Sequence, residues 1–363
     1  MNKKKTHFFK FVLYISLLLI PSTSAFATEK TKGTDQEAKG GFSFETVKSE
    51  KQVSDANYFD LKLSPGEKHK VQIKLNNAEE KPIDILISLN GAKTNSNGVI
   101  EYGPTTIEDD ASLKYKFTDI VKGPEEVTIP AKSSIDVDYE ITMPATEFDG
   151  QIVGGFQIQV KPNEEEEKKA DGAVINRYAY VVAMVLKEND TEVMPNLKLN
   201  KVYPELRNFR NSIFINYSNE NPAFLEEMTL ETQITKKGSK EVLYDSKQAG
   251  MRMAPNTMIN YAVSMNGEKM IPGDYQAHIK VTARGDKKWE WLEDFKITDE
   301  DADKFNDQDV SLLQEASFDW KLIAMCVGGV VTLGLIVFFA IQAFNKKSGK
   351  GKRKNSSKAN KKK

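Results

Sequence analysis

Between residues 42 and 297 apolar and polar positions alternate with a period of two, and turn residues cut the runs short, which is the pattern of half-buried β-strands. Val71, Ile73 and Leu75 share one face of a run that Ser64-Pro65-Gly66-Glu67 opens and Asn76-Asn77 closes. Strands are expected next at 83–89, ended by Asn90-Gly91, and at 127–130, with Asn97-Gly98 as a hairpin signal between them. Ile135, Val137, Tyr139 and Ile141 alternate before Pro144, and two longer apolar runs, 151–160 and 174–186, flank the charge run 164–169, read as a solvated hairpin loop. The polar stretch 187–193 breaks the rhythm. Beyond it, strands are expected at 212–216, 228–234, 242–244, 259–265, 275–282 and 288–297, with turns at Lys237-Gly238, Pro255-Asn256, Asn266-Gly267 and Pro272-Gly273.

Many short strands at this spacing predict an all-β fold: two tandem immunoglobulin-like β-sandwich domains, 42–187 and 195–298, followed by one C-terminal transmembrane helix. One strand departs from the pattern. Paired glycines weaken a strand unless a bulge or a close backbone approach requires them. The stretch 148–156 therefore reads either as a bulge or as a contact region, with Phe148, Asp149, Gly150, Gln151, Gly154 and Gly155 as the candidate ligand contacts.

The chain ends change the picture more than the composition does. Residues 1–27 begin with Lys3, Lys4 and Lys5, continue through an apolar run over 11–20 and close on Ala25-Phe26-Ala27, so a signal peptide is expected with Ala25 and Ala27 at the cleavage site. Residues 322–344 hold no charge and suffice for one bilayer crossing. Trp320 at the outer edge and Lys346 and Lys347 at the inner edge are the expected membrane anchors, and 345–363 is a Lys-rich tail.

The whole-chain charge of −1 conceals this division. Residues 28–344 carry 37 basic and 52 acidic residues, a net of −15, whereas 345–363 carry ten basic residues and no acid. The positive-inside rule then places 28–321 outside the cell and the C-terminus in the cytoplasm. A basic tail beside a span reads as a lipid-headgroup anchor and not as a nucleic-acid arm. The single Cys326 lies within the span, so this exported chain has no disulfide, which fits the plasma membrane of a bacterium without stapled ectodomains.

Candidate chemistry is sparse. His69 and His278 each sit in an alternating strand without a nucleophile motif, and no phosphate loop, dinucleotide motif or zinc helix occurs, so no enzyme, cofactor or metal is expected. Asp299, Asp301 and Asp303 begin like a calcium loop, but Lys304 and Val310 stand where the bend glycine and the bidentate glutamate are needed. Residues 299–321 thus read as an acidic stalk. Trp289, Trp291, Phe295 and Ile297 share one strand face and read as a core stripe.

The layout, with Leu63-Ser64-Pro65-Gly66, Asn76-Asn77, the 148–156 stretch, the apolar 177–186 strand, Ala254-Pro255-Asn256 and Pro272-Gly273-Asp274-Tyr275, resembles the WxL-interacting proteins of Gram-positive bacteria. The resemblance implies a first domain that binds peptidoglycan and a second that binds host or partner proteins. The partners it implies are peptidoglycan, WxL-domain surface proteins that the chain would tether, and, in an alternative role as an adhesin, host matrix proteins. The chain is not itself a WxL protein: Trp289-Glu290-Trp291-Leu292 contains no Trp-x-Leu.

Overall fold

The computed structural model describes residues 41–162, 178–312 and 320–351. The signal segment with Ala25 and Ala27 and the charge run 164–169 lie outside the described residues. In chain order the first domain contains β1 (Phe42–Thr46), β2 (Phe59–Lys62), β3 (Lys68–Asn77), β4 (Ile83–Gly91), β5 (Lys93–Thr94), β6 (Ile100–Glu101), α1 (Phe117–Ile120), β7 (Val121–Lys122), β8 (Glu126–Ile129), β9 (Ser134–Thr142), β10 (Ile152–Val160) and β11 (Ala179–Lys187). The second contains β12 (Leu197–Arg207), β13 (Arg210–Asn219), β14 (Leu225–Lys236), β15 (Val242–Met253), β16 (Thr257–Ser264), β17 (Gly273–Ala283) and β18 (Lys287–Ile297). Two helices follow, α2 (Asp299–Gln308) and α3 (Trp320–Gly351).

Each domain is a sandwich of two sheets. In the first, the order β1-β3-β9-β7 faces β2-β11-β10-β4-β8; in the second, β12-β13-β16 faces β15-β14-β17-β18. The alternation does what it predicts. Val71, Ile73 and Leu75 of β3 meet Val137, Tyr139 and Ile141 of β9 within one core, while their polar neighbours face outward. Fully buried Phe156 stands between Tyr139 and Phe59, at ring-centroid distances of 4.7 and 5.9 Å. The expected core stripe also forms: Phe295 and Ile297 are buried in the second core and Trp289 and Trp291 pack against it.

Strand β12 is absent from the sequence reading because its alternation changes phase. A register shift between Leu199 and Lys201 leaves Asn200 as an extra residue, and a bulge of this kind moves later side chains to the opposite face. Pro204 fits there because β12 is an edge strand with no neighbour on one side.

Two expectations need correction. The 148–156 region contains no bulge: β10 pairs with both β11 and β4 in unbroken register across both glycines. The acidic stalk does not begin at 299. Residues 299–308 form helix α2, which starts on a reciprocal cap in which Thr298 Oγ1 accepts from the Asp301 N–H at 3.0 Å and the Asp301 carboxylate accepts from the Thr298 backbone N–H at 3.3 Å, with the Thr298 hydroxyl also donating to it at 2.7 Å. Ala302 and Phe305, one turn apart, enter the second core, so two apolar groups at helical spacing outweigh a polar composition. Thr298→Ala is expected to lower stability by about 1 kcal/mol, with amide exchange accelerated in α2 first; unchanged exchange there would show that the cap contributes nothing.

Within α3, residues Ala324–Gln342 form an apolar stretch of 19 residues, none of it buried by the rest of the chain. At 1.5 Å per residue it reaches about 28 Å, close to the thickness of a bilayer's hydrocarbon core. The Thr332 hydroxyl donates to the Gly328 carbonyl at 2.7 Å, so this polar group is satisfied within the helix. Trp320, Lys346 and Lys347 lie on the same helix, outside its apolar stretch.

Candidate functional site between the two sandwiches

The glycine pair shows how the site is built. In β10 the side chains at 152, 154, 156 and 158 point into the first core, and the intervening positions point to the opposite face of the sheet. At Gly154 a Cβ would lie 2.2 Å from Cγ of Phe117 and 2.6 Å from the Asn90 carbonyl oxygen. Glycine is needed there so that the ring of Phe117, brought in by the single turn α1, can pack directly against the strand. At Gly155 a Cβ would lie 2.7 Å from the Val182 carbonyl oxygen and 3.0 Å from Cβ of Tyr102. Two crossings of one strand, one on each face, therefore take up both glycines. Gly154 and Gly155 meet protein on these sides and do not reach a cleft.

The crossing segment belongs to a long excursion between β4 and β7 that leaves the first domain and packs on the second. Thr94 Oγ1 lies 2.7 Å from Thr257 Oγ1 and accepts from the Ala254 N–H at 3.1 Å. The Arg252 N–H donates to the Gly98 carbonyl at 2.8 Å, at the tip of the expected Asn97-Gly98 turn. The Ser218 hydroxyl donates to the Asp110 carboxylate, and the Asn256 amide donates to the Ser112 carbonyl at 3.2 Å. Ala92, Val153, Val185 and Ala254 form a small apolar cluster at this junction, with Ile100, Tyr102 and Phe224 packed on it. Backbone, hydroxyl and apolar contacts together hold the two sandwiches in one arrangement.

Beside this cluster lies a cavity of about 260 Å³ bordered by both domains. Tyr115 and Phe148 form one wall, their ring centroids 5.3 Å apart and tilted by 49°. Ala92, Ile152 and Val153 line the interior, and Glu220, Pro222, Pro255 and Asn256 enter from the second domain. Of the candidate contacts, Phe148, Asp149 and Gln151 line this cavity, while Gly150 and Gln151 line an adjoining depression against Pro222. Gly150 has φ +92° and a Cβ there would lie 2.4 Å from the Pro222 carbonyl oxygen, so glycine serves both the turn and the close approach.

The loop carrying Phe148 is fixed from the interdomain linker. Glu188 accepts from the Phe148 N–H at 2.9 Å, Asn189 donates to Asp149 at 2.9 Å, and the Gln151 N–H donates to the Pro222 carbonyl at 2.8 Å. Burial pushes the Glu188 carboxyl up, with nearby Glu147 adding to the rise and the Phe148 N–H opposing it. Asp109 is held well below the usual carboxylate range by hydrogen bonds from Lys116 and Lys93. The second-domain residues of this cavity are not legible in the sequence, because Glu220, Pro222 and Asn256 are separated from Phe148 by a whole domain boundary; only the Pro255-Asn256 turn shows there.

The histidines do not join the cavity. His69 Nε2 is 2.7 Å from Ser49 Oγ, and His278 Nε2 is 2.6 Å from Glu290 on an exposed sheet face, so neither is aligned between a nucleophile and an orienting acid. Asp301, the middle residue of the calcium-like sequence, is committed to the helix cap.

Two β-sandwiches locked together around an amphipathic cleft, followed in the chain by an apolar helix, define a two-domain binding protein. A family model described as the peptidoglycan binding domain of WxL Interacting Protein matches residues 42–160, and one described as its host binding domain matches 169–307. The chain belongs to the WxL-interacting protein family. The second match begins ahead of β11, yet β11 pairs with β10 and β2 inside the first sandwich, so the two domains share this strand.

No curated protein matches the chain. Among solved structures, it is similar to the Escherichia coli chaperone DraB at 11% identity, covering 71% of this chain and 97% of that one with a TM-score of 0.25. It is also similar to the Pseudomonas aeruginosa CupB2 chaperone at 10% identity, covering 64% and 95% with a TM-score of 0.27. A PapD-like domain of human CEP192 matches at 11% identity, covering 45% and 94% with a TM-score of 0.26.

Proposed function

We propose that this chain is a non-enzymatic surface protein of a Gram-positive plasma membrane that binds peptidoglycan and tethers WxL-type proteins beside the wall. The observation that carries the reading is the order of parts: two domain models, named for peptidoglycan and host binding, cover both sandwiches and precede a helix long and apolar enough for one span. In this reading α3 is the anchor, residues 28–321 are extracellular, and the Lys-rich tail is cytoplasmic. An ectodomain of net charge −15 is repelled by anionic wall polymers, so local contacts and not bulk charge supply the affinity.

The full chain in detergent micelles should therefore sediment with purified wall sacculi, and should still do so in about 1 M salt, where the Debye length is about 3 Å. Loss of sedimentation at modest salt would overturn the reading. The second domain's match to a host-binding model favours an additional role as an adhesin for host matrix proteins. Antibody fragments against β17 and β18, which contribute no residue to the cavity, should then block matrix binding while sparing sacculi.

A further inference from the structure

We infer that the cavity between the sandwiches is a subsite for an uncharged amino-sugar ring, an N-acetylated hexosamine of the wall glycan, and that the second domain completes it. This rests on the wall-binding reading above and specifies where, and through which part of the polymer, binding occurs.

The chemistry of the walls selects the ligand. Tyr115 and Phe148 offer aromatic surface beside an interior of Ala92, Ile152 and Val153. Such a site takes a ligand with an apolar side, as a pyranose ring presents through its C–H groups and an acetamido group through its methyl. Polar groups converge on the same space. The Gln151 side chain forms no hydrogen bond with the described residues, Tyr115 keeps its hydroxyl unpaired among them, and Asn256 borders the space from the second domain with its amide N–H groups bonded to Ser112 and Glu220 and its side-chain carbonyl unpaired among the described residues. Hydroxyl and acetamido groups match such donors and acceptors.

Charge separates the glycan strand from its peptide stem, whose free ends carry carboxylates and ammonium groups. The lining carboxylates are largely occupied: Asp109 is bonded to Lys93 and Lys116, and Glu220 to Lys198 at 3.1 Å. Among the described residues Lys114 and Asp149 have no ion-pair partner, one of each sign; Lys114 lies over the Tyr115 ring at 4.8 Å and Asp149 accepts from Asn189. Among the described residues no uncompensated cluster of one sign lines the cavity to draw in an ionic ligand. An uncharged ring loses less hydration on entering such a site than an ionised stem does.

The two domains are required together because one wall comes from each. Asn256, at φ +51°, is held in place by its own amide, which donates to Ser112 in the first domain and to the Glu220 carbonyl at 2.8 Å. Ligand bound here would touch both sandwiches at once.

The test uses the full chain in detergent micelles, titrated with chitotetraose, a soluble N-acetylglucosamine oligomer, and separately with a soluble stem pentapeptide. Chitotetraose should bind and the pentapeptide should not. Tyr115→Ala and Gln151→Ala in the first domain and Asn256→Gly in the second, which keeps the left-handed backbone, should each weaken chitotetraose by about tenfold. Gln151→Ala removes only a side chain without hydrogen bonds among the described residues and remains informative if Tyr115→Ala disturbs folding. Sedimentation with sacculi but no response to chitotetraose, or an affinity of Gln151→Ala and Asn256→Gly equal to that of the natural chain, overturns the subsite and leaves the wall-binding reading in place. Failure of the natural chain to sediment with sacculi overturns that reading itself.

Discussion

Gly154→Val is expected to unfold the first sandwich under conditions in which the natural chain is folded. A Cβ at this position meets Phe117 at 2.2 and 2.3 Å, and the third neighbour, the Asn90 carbonyl oxygen at 2.6 Å, is backbone within the β4–β10 ladder. The ring could turn away only by vacating a buried site, and the carbonyl could move only by breaking the ladder. Overpacking a dense core costs about 1–3 kcal/mol where side chains alone adjust, and more where the backbone must shift, so a loss of about 3 kcal/mol or more is expected. Chemical denaturation followed by far-ultraviolet circular dichroism measures it. The double variant Gly154→Ala with Phe117→Leu should be less unstable than the sum of the single changes, because the smaller side chain relieves the ring contact while the carbonyl contact persists. Strict additivity would show that the two residues do not press on one another.

The second large effect is expected at Asp309, just beyond α2. This carboxylate is fully buried, accepts from the Asn211 N–H at 2.8 Å and the Ser311 N–H at 2.8 Å, and is bonded also by the Ser311 hydroxyl. Asp309→Ala leaves buried donors without partners, which costs about 1–3 kcal/mol each; about 3 kcal/mol in total is expected, with amide exchange rising first at Asn211 and along α2. Burial pushes the Asp309 carboxyl up, but the Ser311 hydroxyl and the amides of Asn211 and Ser311 outweigh it and hold the carboxyl below its usual range. A lowered folded value means that the stabilisation is complete above the unfolded aspartate value of about 3.9 and is lost as pH falls through the folded value. The natural chain should therefore lose stability more steeply than Asp309→Ala below about pH 4. Identical acid limbs for the two proteins would contradict this role.

Both effects arise where sequence reading was weakest. The strands around Val71 and Tyr139 were legible because alternation reports one buried face, a local property repeated over several residues. The glycine pair was visible as an anomaly, but a lone strand cannot say what approaches it; Phe117, Tyr102 and Val182 come from other parts of the chain. Strand β12 was hidden because one extra residue, Asn200, reverses the phase that alternation relies on. Helix α2 was hidden because five acidic residues among ten mark it as solvated, while the groups that dock it are Ala302 and Phe305 alone.

The sequence by itself determined the class of fold, the apolar C-terminal helix and the segregation of charge, since period, run length and net charge are sums over neighbouring residues. Only the tertiary structure decided that the two sandwiches lock together and enclose a cavity. That cavity depends on residues as far apart as Tyr115 and Asn256, which meet because the excursion between β4 and β7 crosses the domain boundary. Its walls are fixed by contacts such as Thr94 with Thr257 and Ser218 with Asp110, and no local pattern in the chain encodes such pairings.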